Sequence, residues 1–189
     1  MLKKICELAQ IAGSAIINYY LFKKSVHISY KSNNTLITNV DCESNHIFKK
    51  GLFSICSKIS ILSEEELHDF KDCKNWHNYW LIDSLDGTKE FLKNNGDFTV
   101  NFRLIKKGIP VLGVIYAPFF NIFYYFFNKE AWKENKKEEY KKKYLLHHQK
   151  NYYIAAGSKV KTWNGGELNY SFSSYHNTSS SINPGFFSL

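Results

Sequence analysis

The feature that most restricts the fold is the uncharged apolar stretch IPVLGVIYAPFFNIFYYFF, residues 109–127. As a helix, a stretch of this length would just cross a bilayer. However, Pro110, Pro118 and Asn121 interrupt it, and its many valine, isoleucine, tyrosine and phenylalanine residues favour strands. We therefore predict two core strands joined by a turn near APFFN, with a membrane-spanning helix as the less favoured alternative.

The flanking segments add a strand and a helix to this prediction. Residues 95–118 read as paired strands joined at Lys107–Gly108. The N-terminal segment, residues 1–20, indicates an amphipathic surface helix rather than a signal peptide. Its apolar side chains recur at helical intervals, at Ile5, Leu8, Ala12 and Ile16.

Composition indicates a folded globular protein, since 44% of the 189 residues are hydrophobic and 17% are aromatic. The scattered cysteines suit reduced thiols in a cytoplasmic protein, although the sequence leaves peripheral membrane association open. These cysteines are Cys6, Cys42, Cys56 and Cys73.

The net charge of +8 is a weak indication of a nucleic-acid partner. Arg103 is the only arginine among the 25 basic residues, so the other 24 are lysines, which do not form bidentate contacts with phosphate or guanine. Much of the excess lies in KEAWKENKKEEYKKKY, residues 129–144, where interleaved glutamates indicate a solvated hairpin or helix face. A nucleic-acid-binding module is therefore disfavoured.

Acidic residues follow three apolar, strand-like runs. In WLIDSLDGTKEF, residues 80–91, Asp83 and Asp86 precede an Asp-Gly turn; an ordinary turn with a solvated aspartate is the alternative. ISILSEEEL, residues 59–67, contains Glu64 and Glu65, and its S-x-x-E pattern also matches a helix-capping box. TLITNVD, residues 35–41, ends at Asp41.

Carboxylates at the ends of separate strands would form an oxygen-rich cluster, which suits Mg²⁺. Such sites act on phosphate esters, because the metal neutralises phosphate charge and lowers the pKa of an attacking water. A calcium loop is a poorer interpretation, since the acids lack the D-x-D-x-D-G register.

The motifs IxxLSEE, WLxDxLDGTKEF and GxFTVNxxLIxxGxPxLGVxYAP resemble the lithium-sensitive, magnesium-dependent phosphatase superfamily. That superfamily includes inositol monophosphatases, fructose-1,6-bisphosphatases and 3'(2'),5'-bisphosphate nucleotidases. The resemblance runs from Met1 to about Trp132, and the Lys-Glu-Phe after Asp-Gly-Thr is similar to the bacterial nucleotidases. It implies an α/β fold of the layered α-β-α-β-α sugar-phosphatase type.

The implied reaction is hydrolysis of the 3'-phosphate of adenosine 3',5'-bisphosphate, a small-molecule phosphate ester, to AMP and phosphate. This reaction would clear a by-product of sulfate assimilation. An inositol monophosphatase-like sugar phosphatase and a non-catalytic remnant of the family remain the alternatives.

The resemblance also implies the metal ligands. Glu64, Asp83 and the carbonyl of Leu85 would hold a first Mg²⁺, and Asp83 would bridge to a second Mg²⁺ held by Asp86. Substrate would contact Glu64, Leu85 and Asp86 together with Gly87 and Thr88, which offer backbone and hydroxyl donors to phosphate.

Three catalytic residues follow from the same resemblance. Thr88, oriented by Asp41, would assist deprotonation of the attacking water, and Glu65 would assist through a water molecule. Two departures lie nearby: Ser84 replaces a proline that is common in the family, so we expect a less rigid turn, and Val40 replaces a smaller residue.

A larger departure follows the motifs. Residues 156–170 and 181–186 resemble the end of the family's sequence, and several tens of residues are missing between about Tyr153 and Ala156. The resemblance implies a Trp-Asp-x-Ala-Ala-Gly helix in this missing segment, whose aspartate would be the remaining ligand of the second metal. No Trp-Asp dipeptide occurs in the sequence, so we expect the second metal site to be incomplete. We therefore predict an N-terminal phosphatase domain over residues 1–150 and a truncated second domain over residues 151–189.

Overall fold

The computed structural model describes residues 1–22, 24–32, 34–66 and 70–144. The expected break near residues 153–156, the boundary at residue 150 and the truncated second domain lie outside these residues. In chain order the elements are α1 (Leu2–Phe22), β1 (Ile28–Tyr30), β2 (Leu36–Thr38), α2 (Asn39–Cys56), β3 (Ser60–Ser63), α3 (Phe70–Cys73), β4 (Asn78–Asp86), α4 (Thr88–Leu92), β5 (Thr99–Lys106), β6 (Ile109–Ala117), β7 (Ile122–Phe127), β8 (Glu130–Asn135) and β9 (Tyr140–Tyr144).

Seven strands form one sheet in the order β3-β4-β5-β6-β7-β8-β9. The β3–β4 pair is parallel and every later pair is antiparallel. Strands β1 and β2 form a separate antiparallel hairpin. Helices combined with a mostly antiparallel sheet confirm the α/β prediction.

The apolar stretch 109–127 forms β6 and β7, as its sequence predicts. The preceding turn consists of Lys107 and Gly108, whose φ angles of 50° and 76° are both positive. This is the geometry of a two-residue turn that matches the twist of paired strands. The charged segment 129–144 forms β8 and β9, which confirms the hairpin interpretation.

Helices α1 and α2 cover one face of the sheet. Alternate residues of β5, including Phe102 and Leu104, are fully buried beneath them, and the Phe48 ring stacks on Phe102 with centroids 4.0 Å apart. The buried stripe of α1 consists of Ile5, Leu8, Ala9, Ala12, Gly13 and Ile16. This confirms the amphipathic helix and accounts for much of its apolar character. Among the described residues, α1 is the one helix whose length and hydropathy would allow it to cross a membrane.

Two local predictions are wrong. Residues 64–66 form a turn, and the next described helix begins at Phe70, so Ser63 does not cap a helix at this position. The Ser63 hydroxyl instead donates to Asn45 of α2 at 2.8 Å, and Glu66 accepts from Lys49 of the same helix at 2.7 Å. Asp41 does not end a strand: it lies in the first turn of α2.

Candidate metal and phosphate site

A bulge in β4 explains the spacing of the two aspartates. Asp83 pairs with Asn101 and Asp86 pairs with Thr99, so three steps along β4 match two steps along β5. On a regular strand, residues three apart point to opposite faces of the sheet. The extra residue therefore places Asp83 and Asp86 on the same face, beside Asn101 and Thr99.

The parallel pairing of β3 and β4 brings the glutamates to the same end of the sheet. Ser63 pairs with Ile82, and the backbone N–H of Glu64 donates to the Ile82 carbonyl at 3.0 Å. One carboxylate oxygen from each of Glu64, Glu65 and Asp83 lies within 4.8 Å of the others. Carboxylates distant in sequence thus share a volume the size of a cation site.

Crowding of these acids perturbs their protonation. Burial, followed by the charges of Asp86 and Glu64, raises the pKa of Asp83 well above its ordinary value. Burial, with Glu64 and then Asp41, raises the pKa of Glu65 to about 8. Burial raises the pKa of Asp86 to about 6. Each shift reports a cost of ionisation that a bound cation would reduce.

Asn101 holds Asp86 in place. Its side-chain amide donates to Asp86 Oδ2 at 3.3 Å, and its oxygen accepts from the Thr99 hydroxyl at 3.3 Å. The Asn101 side chain is only 3% exposed, so the amide is a fixed part of the site. The family motif contains this asparagine, but its spacing alone did not indicate a partner for Asp86.

Lys31 is a participant that sequence reasoning missed. Its ammonium group donates to Glu64 Oε2 at 2.7 Å and to the Glu64 carbonyl at 2.9 Å, and it lies 3.0 Å from Glu65 Oε2. A tight turn after β1 positions it, with the Lys31 N–H donating to the Thr35 carbonyl at 2.8 Å. Burial opposes the charged form, but the hydrogen bond to Glu64 and the charges of both glutamates raise the pKa of Lys31 overall.

Asp41 connects the start of α2 to Thr88. Asp41 Oδ2 accepts hydrogen bonds from the N–H of Thr38, at 2.7 Å, and from the Thr38 hydroxyl. The N–H of Asp41 in turn donates to the Thr38 hydroxyl oxygen at 3.4 Å, which completes a capping box. Asp41 Oδ1 accepts from the Thr88 hydroxyl at 3.1 Å. Burial raises the pKa of Asp41, while these hydrogen bonds oppose the shift. The T-x-x-D pattern at residues 38–41 is the signal that could have predicted the helix start.

The Asp-Gly turn predicted after β4 requires glycine. Gly87 has a φ of 91°, and a Cβ at this position would lie 2.7 Å from the Asp97 carbonyl oxygen. Thr88 begins α4, and its hydroxyl also lies 3.2 Å from the Leu85 carbonyl oxygen. The structure therefore places Leu85, Gly87 and Thr88 beside the acid cluster, which consists of Glu64, Glu65, Asp83 and Asp86.

Ser84, which replaces a proline and was expected to make the turn less rigid, is held by hydrogen bonds of its own. The side chain is fully buried, and its hydroxyl lies 3.1 Å from the Asp41 carbonyl and 3.3 Å from Glu65 Oε1, both acceptors. The Ser84 carbonyl accepts from Ser44 at 2.8 Å. Val40 is 1% exposed and belongs to the core, so the larger residue is accommodated there.

The donor set suits magnesium. The candidate ligands are carboxylate oxygens and one backbone carbonyl, without a nitrogen or sulfur donor among the predicted residues, and hard oxygen ligands favour Mg²⁺ over zinc. Glu64, Glu65 and Asp83 form the compact group, and Asp86 lies beside it on the same strand face. The particular ligand and catalytic roles stay predictions.

Comparisons with known proteins identify relatives of this chain. Over 124 residues, 66% of the chain, it is 57% identical to the 3'(2'),5'-bisphosphate nucleotidase CysQ of Buchnera aphidicola subsp. Acyrthosiphon pisum (strain APS), covering 47% of that protein. It is 42% identical to CysQ of Escherichia coli strain K12 over 124 residues, again 66% of the chain, covering 50% of that protein. The chain therefore spans about half the length of these curated relatives.

Solved structures show the same fold. CysQ from Bacteroides thetaiotaomicron, a bacterial member of the inositol monophosphatase family, matches with a TM-score of 0.59 and 27% identity, over 80% of this chain and 60% of that one. The extragenic suppressor protein suhB from Bartonella henselae matches with a TM-score of 0.61 and 23% identity, over 69% of this chain and 50% of that one. The family model described as "Inositol monophosphatase family" matches residues 1–183. The chain therefore belongs to the inositol monophosphatase family.

Proposed function

We propose that this chain is a magnesium-dependent phosphatase that hydrolyses the 3'-phosphate of adenosine 3',5'-bisphosphate to AMP and phosphate. The observation that carries the proposal is the convergence of Glu64, Glu65 and Asp83, with oxygens within 4.8 Å, close to the hydrogen-bonded pair of Asp41 and Thr88. The names of the CysQ relatives support the choice of substrate. The four free cysteines are in keeping with a cytoplasmic location.

In this proposal Glu64, Asp83 and the Leu85 carbonyl would hold one Mg²⁺, and Asp83 and Asp86 would contribute to a second. When bound, magnesium neutralises phosphate charge and lowers the pKa of the attacking water. Asn101 keeps one Asp86 oxygen in a fixed orientation at 3.3 Å. For a metal ion to bind, Lys31 must give up or share its contacts with Glu64, because its ammonium group donates to a carboxylate oxygen that the metal ion would use.

Thr88 and Asp41 accept the proton of the attacking water. The Thr88 hydroxyl donates to Asp41 Oδ1, so its oxygen lone pairs are free to accept the proton of an attacking water. As Thr88 accepts that proton, its own proton passes to Asp41. Burial raises the pKa of Asp41, which makes this carboxylate a stronger base than an exposed aspartate. Gly87 lets a phosphate oxygen approach the backbone of the turn.

The test is phosphate release by the purified chain at a series of Mg²⁺ concentrations. Adenosine 3',5'-bisphosphate is the proposed substrate, and inositol 1-phosphate and AMP serve as comparison esters. We expect release from the bisphosphate that EDTA abolishes and that yields AMP. Preferential hydrolysis of inositol 1-phosphate would replace this proposal with the sugar-phosphatase alternative. No release from any ester at any Mg²⁺ concentration would indicate the non-catalytic alternative.

A further inference from the structure

Arg103 lies on the same face of the sheet as the aspartates. It pairs with Leu81, two residues before Asp83, and it follows Asn101 by two residues on β5. In an antiparallel pair, such diagonal neighbours have Cβ atoms roughly 7 Å apart, within reach of a long side chain. Arg103 is half-buried on this face and is the only arginine in a chain otherwise supplied with lysines.

The surroundings of the Arg103 side chain allow its guanidinium group to interact electrostatically with both Asp83 and Asp86. Gly113 pairs with Arg103 on the neighbouring strand. Of the described residues, a Cβ there would meet only the Phe102 carbonyl, at 3.9 Å, so these residues leave space beside the arginine stem. Burial lowers the pKa of Arg103, while the charges of Asp83 and Asp86 act in the opposite direction. The Arg103 charge in turn lowers the pKa of Asp86, against the effect of burial.

We propose that Arg103 is a fixed positive charge for the Asp83–Asp86 pair and that it weakens Mg²⁺ binding at these two aspartates. This inference rests on the proposed function, because it concerns the metal that the function requires. An arginine side chain does not lose its proton in proteins, so it cannot be switched off as the metal enters. A unit charge on the order of 10 Å from a divalent ion, at an effective dielectric between those of protein and water, corresponds to about a tenfold change in affinity.

The test compares Mg²⁺ affinity by isothermal titration calorimetry, without substrate, in the native chain and in Arg103→Met. Methionine removes the charge and keeps an unbranched apolar stem suited to neighbours such as Pro110, Ile115 and Phe126. We expect Arg103→Met to bind Mg²⁺ about tenfold more tightly. Arg103→Lys keeps the charge and should stay near the native affinity. Lys106→Gln, which removes an exposed charge from the end of β5, should also stay near it.

A second measurement uses the metal-free protein. In EDTA, Arg103→Met should lower the Tm, because the aspartates lose their counter-charge, and Asp86→Asn should make that loss smaller. This non-additivity would show the coupling of Arg103 to Asp86 independently of any metal. Arg103→Gln serves the same comparison should the methionine variant fail to fold.

Two results would overturn the proposal: Mg²⁺ affinities for native and Arg103→Met within about twofold of each other, or strictly additive effects of Arg103 and Asp86 on the Tm. Failure of the phosphatase function has a different signature. In that case no phosphate is released from any ester, while the Mg²⁺ affinities and the metal-free Tm values of the Arg103 variants still test the effect of Arg103 on the aspartates.

Discussion

The two halves of the acid cluster relieve the same repulsion in different ways. Glu64 and Glu65 are in direct contact with the Lys31 ammonium, which is carried by the β1–β2 hairpin. Asp83 and Asp86 lie on a bulged strand beside the neutral amide of Asn101 and within electrostatic range of Arg103.

The difference lies in what each arrangement does to the ligand oxygens. Lys31 occupies glutamate oxygens that a metal ion would need, so metal and lysine compete directly. Asn101 orients one Asp86 oxygen through a neutral amide, which brings no positive charge to compete with a metal ion. In the glutamate half, a metal ion would therefore replace the Lys31 ammonium. In the aspartate half, the Asn101 amide would keep its hydrogen bond to Asp86 when a metal ion binds.

Replacing Asp83 should have the largest effect, since it belongs to the compact group and also adjoins Asp86. We expect Asp83→Asn to lower phosphate release by at least about 10³-fold and to weaken Mg²⁺ binding. The metal-free Tm should not fall, because the substitution removes a buried charge that other acids repel. Activity retained in this variant would contradict the assignment of the aspartate half.

Thr88→Ala should have the next largest effect. Loss of the hydroxyl that donates to Asp41 removes a positioned proton-transfer group, which is worth about 10²-fold or more in kcat. Thr88→Ser is the matched control, since it restores the hydroxyl and should recover most of the rate. Equal rates for Thr88→Ala and the native chain would remove Thr88 from the mechanism.

Gly87→Ala tests the turn that follows the aspartates. The added Cβ would clash with the Asp97 carbonyl at 2.7 Å and impose a strained positive φ, so we expect a loss of about 2 to 3 kcal/mol in the free energy of unfolding. Gly108→Ala is the control: its φ is also positive, at 76°, but in the part of the chain that the structure describes no atom lies within 4 Å of the added carbon. Similar losses in denaturant titrations of the two variants would show that the close approach is unimportant.

Lys31→Met tests the glutamate half. In the metal-free protein it leaves two crowded carboxylates without their ammonium partner, and we expect a loss of about 1 to 2 kcal/mol that saturating Mg²⁺ restores. Lys49→Met breaks the more exposed pair with Glu66 and should cost less than about 1 kcal/mol, independently of Mg²⁺. A Lys31→Met loss that persists in Mg²⁺ would contradict direct competition between lysine and metal.

The smallest expected effect is on the pH dependence of the Tm. Glu65 and Asp86 have pKa values raised to about 8 and about 6, so the folded protein binds protons more tightly than the unfolded chain does. Their contribution to stability is complete at acidic pH and is lost as the pH rises through these values. In EDTA the Tm should therefore fall between about pH 5 and pH 8.5. Glu65→Gln should flatten the slope, and a Tm that rises over this interval would contradict the predicted protonation.

The strands of the sheet could be predicted because their signals are local. Pro118 and Asn121 interrupt the apolar stretch 109–127, and the Lys107–Gly108 turn has the residues that a tight hairpin needs. The glutamates that follow β3 and the aspartates in the last residues of β4 could likewise be identified, because each group comes after an apolar run. The apolar run that ends at Asp41 predicts a strand end, but the T-x-x-D pattern that begins at Thr38 starts helix α2 there.

The remaining features depend on pairing between distant segments. A strand alternates its side chains, so Asp83 and Asp86 would point to opposite faces if the register with Asn101 did not shift. Nothing in the local sequence marks that shift. Lys31 could not be selected among 24 lysines, because its partners lie 33 residues away. The hydrogen bonds of Ser84 likewise could not be predicted from the sequence, because they form only where β4 packs against distant segments such as α2.

Strand β9 has a consequence for association between copies of the chain. It is the outermost strand at its end of the sheet within the described part of the chain, and its sequence YKKKY has three consecutive lysines. Lys141 and Lys143 extend over the Trp132 ring, with their ammonium groups 4.7 and 5.3 Å from its centroid. An open strand edge invites pairing with another chain, and lysines oppose it by repulsion between like charges. Among the described residues, these lysines therefore oppose pairing of this edge with a second copy of the chain.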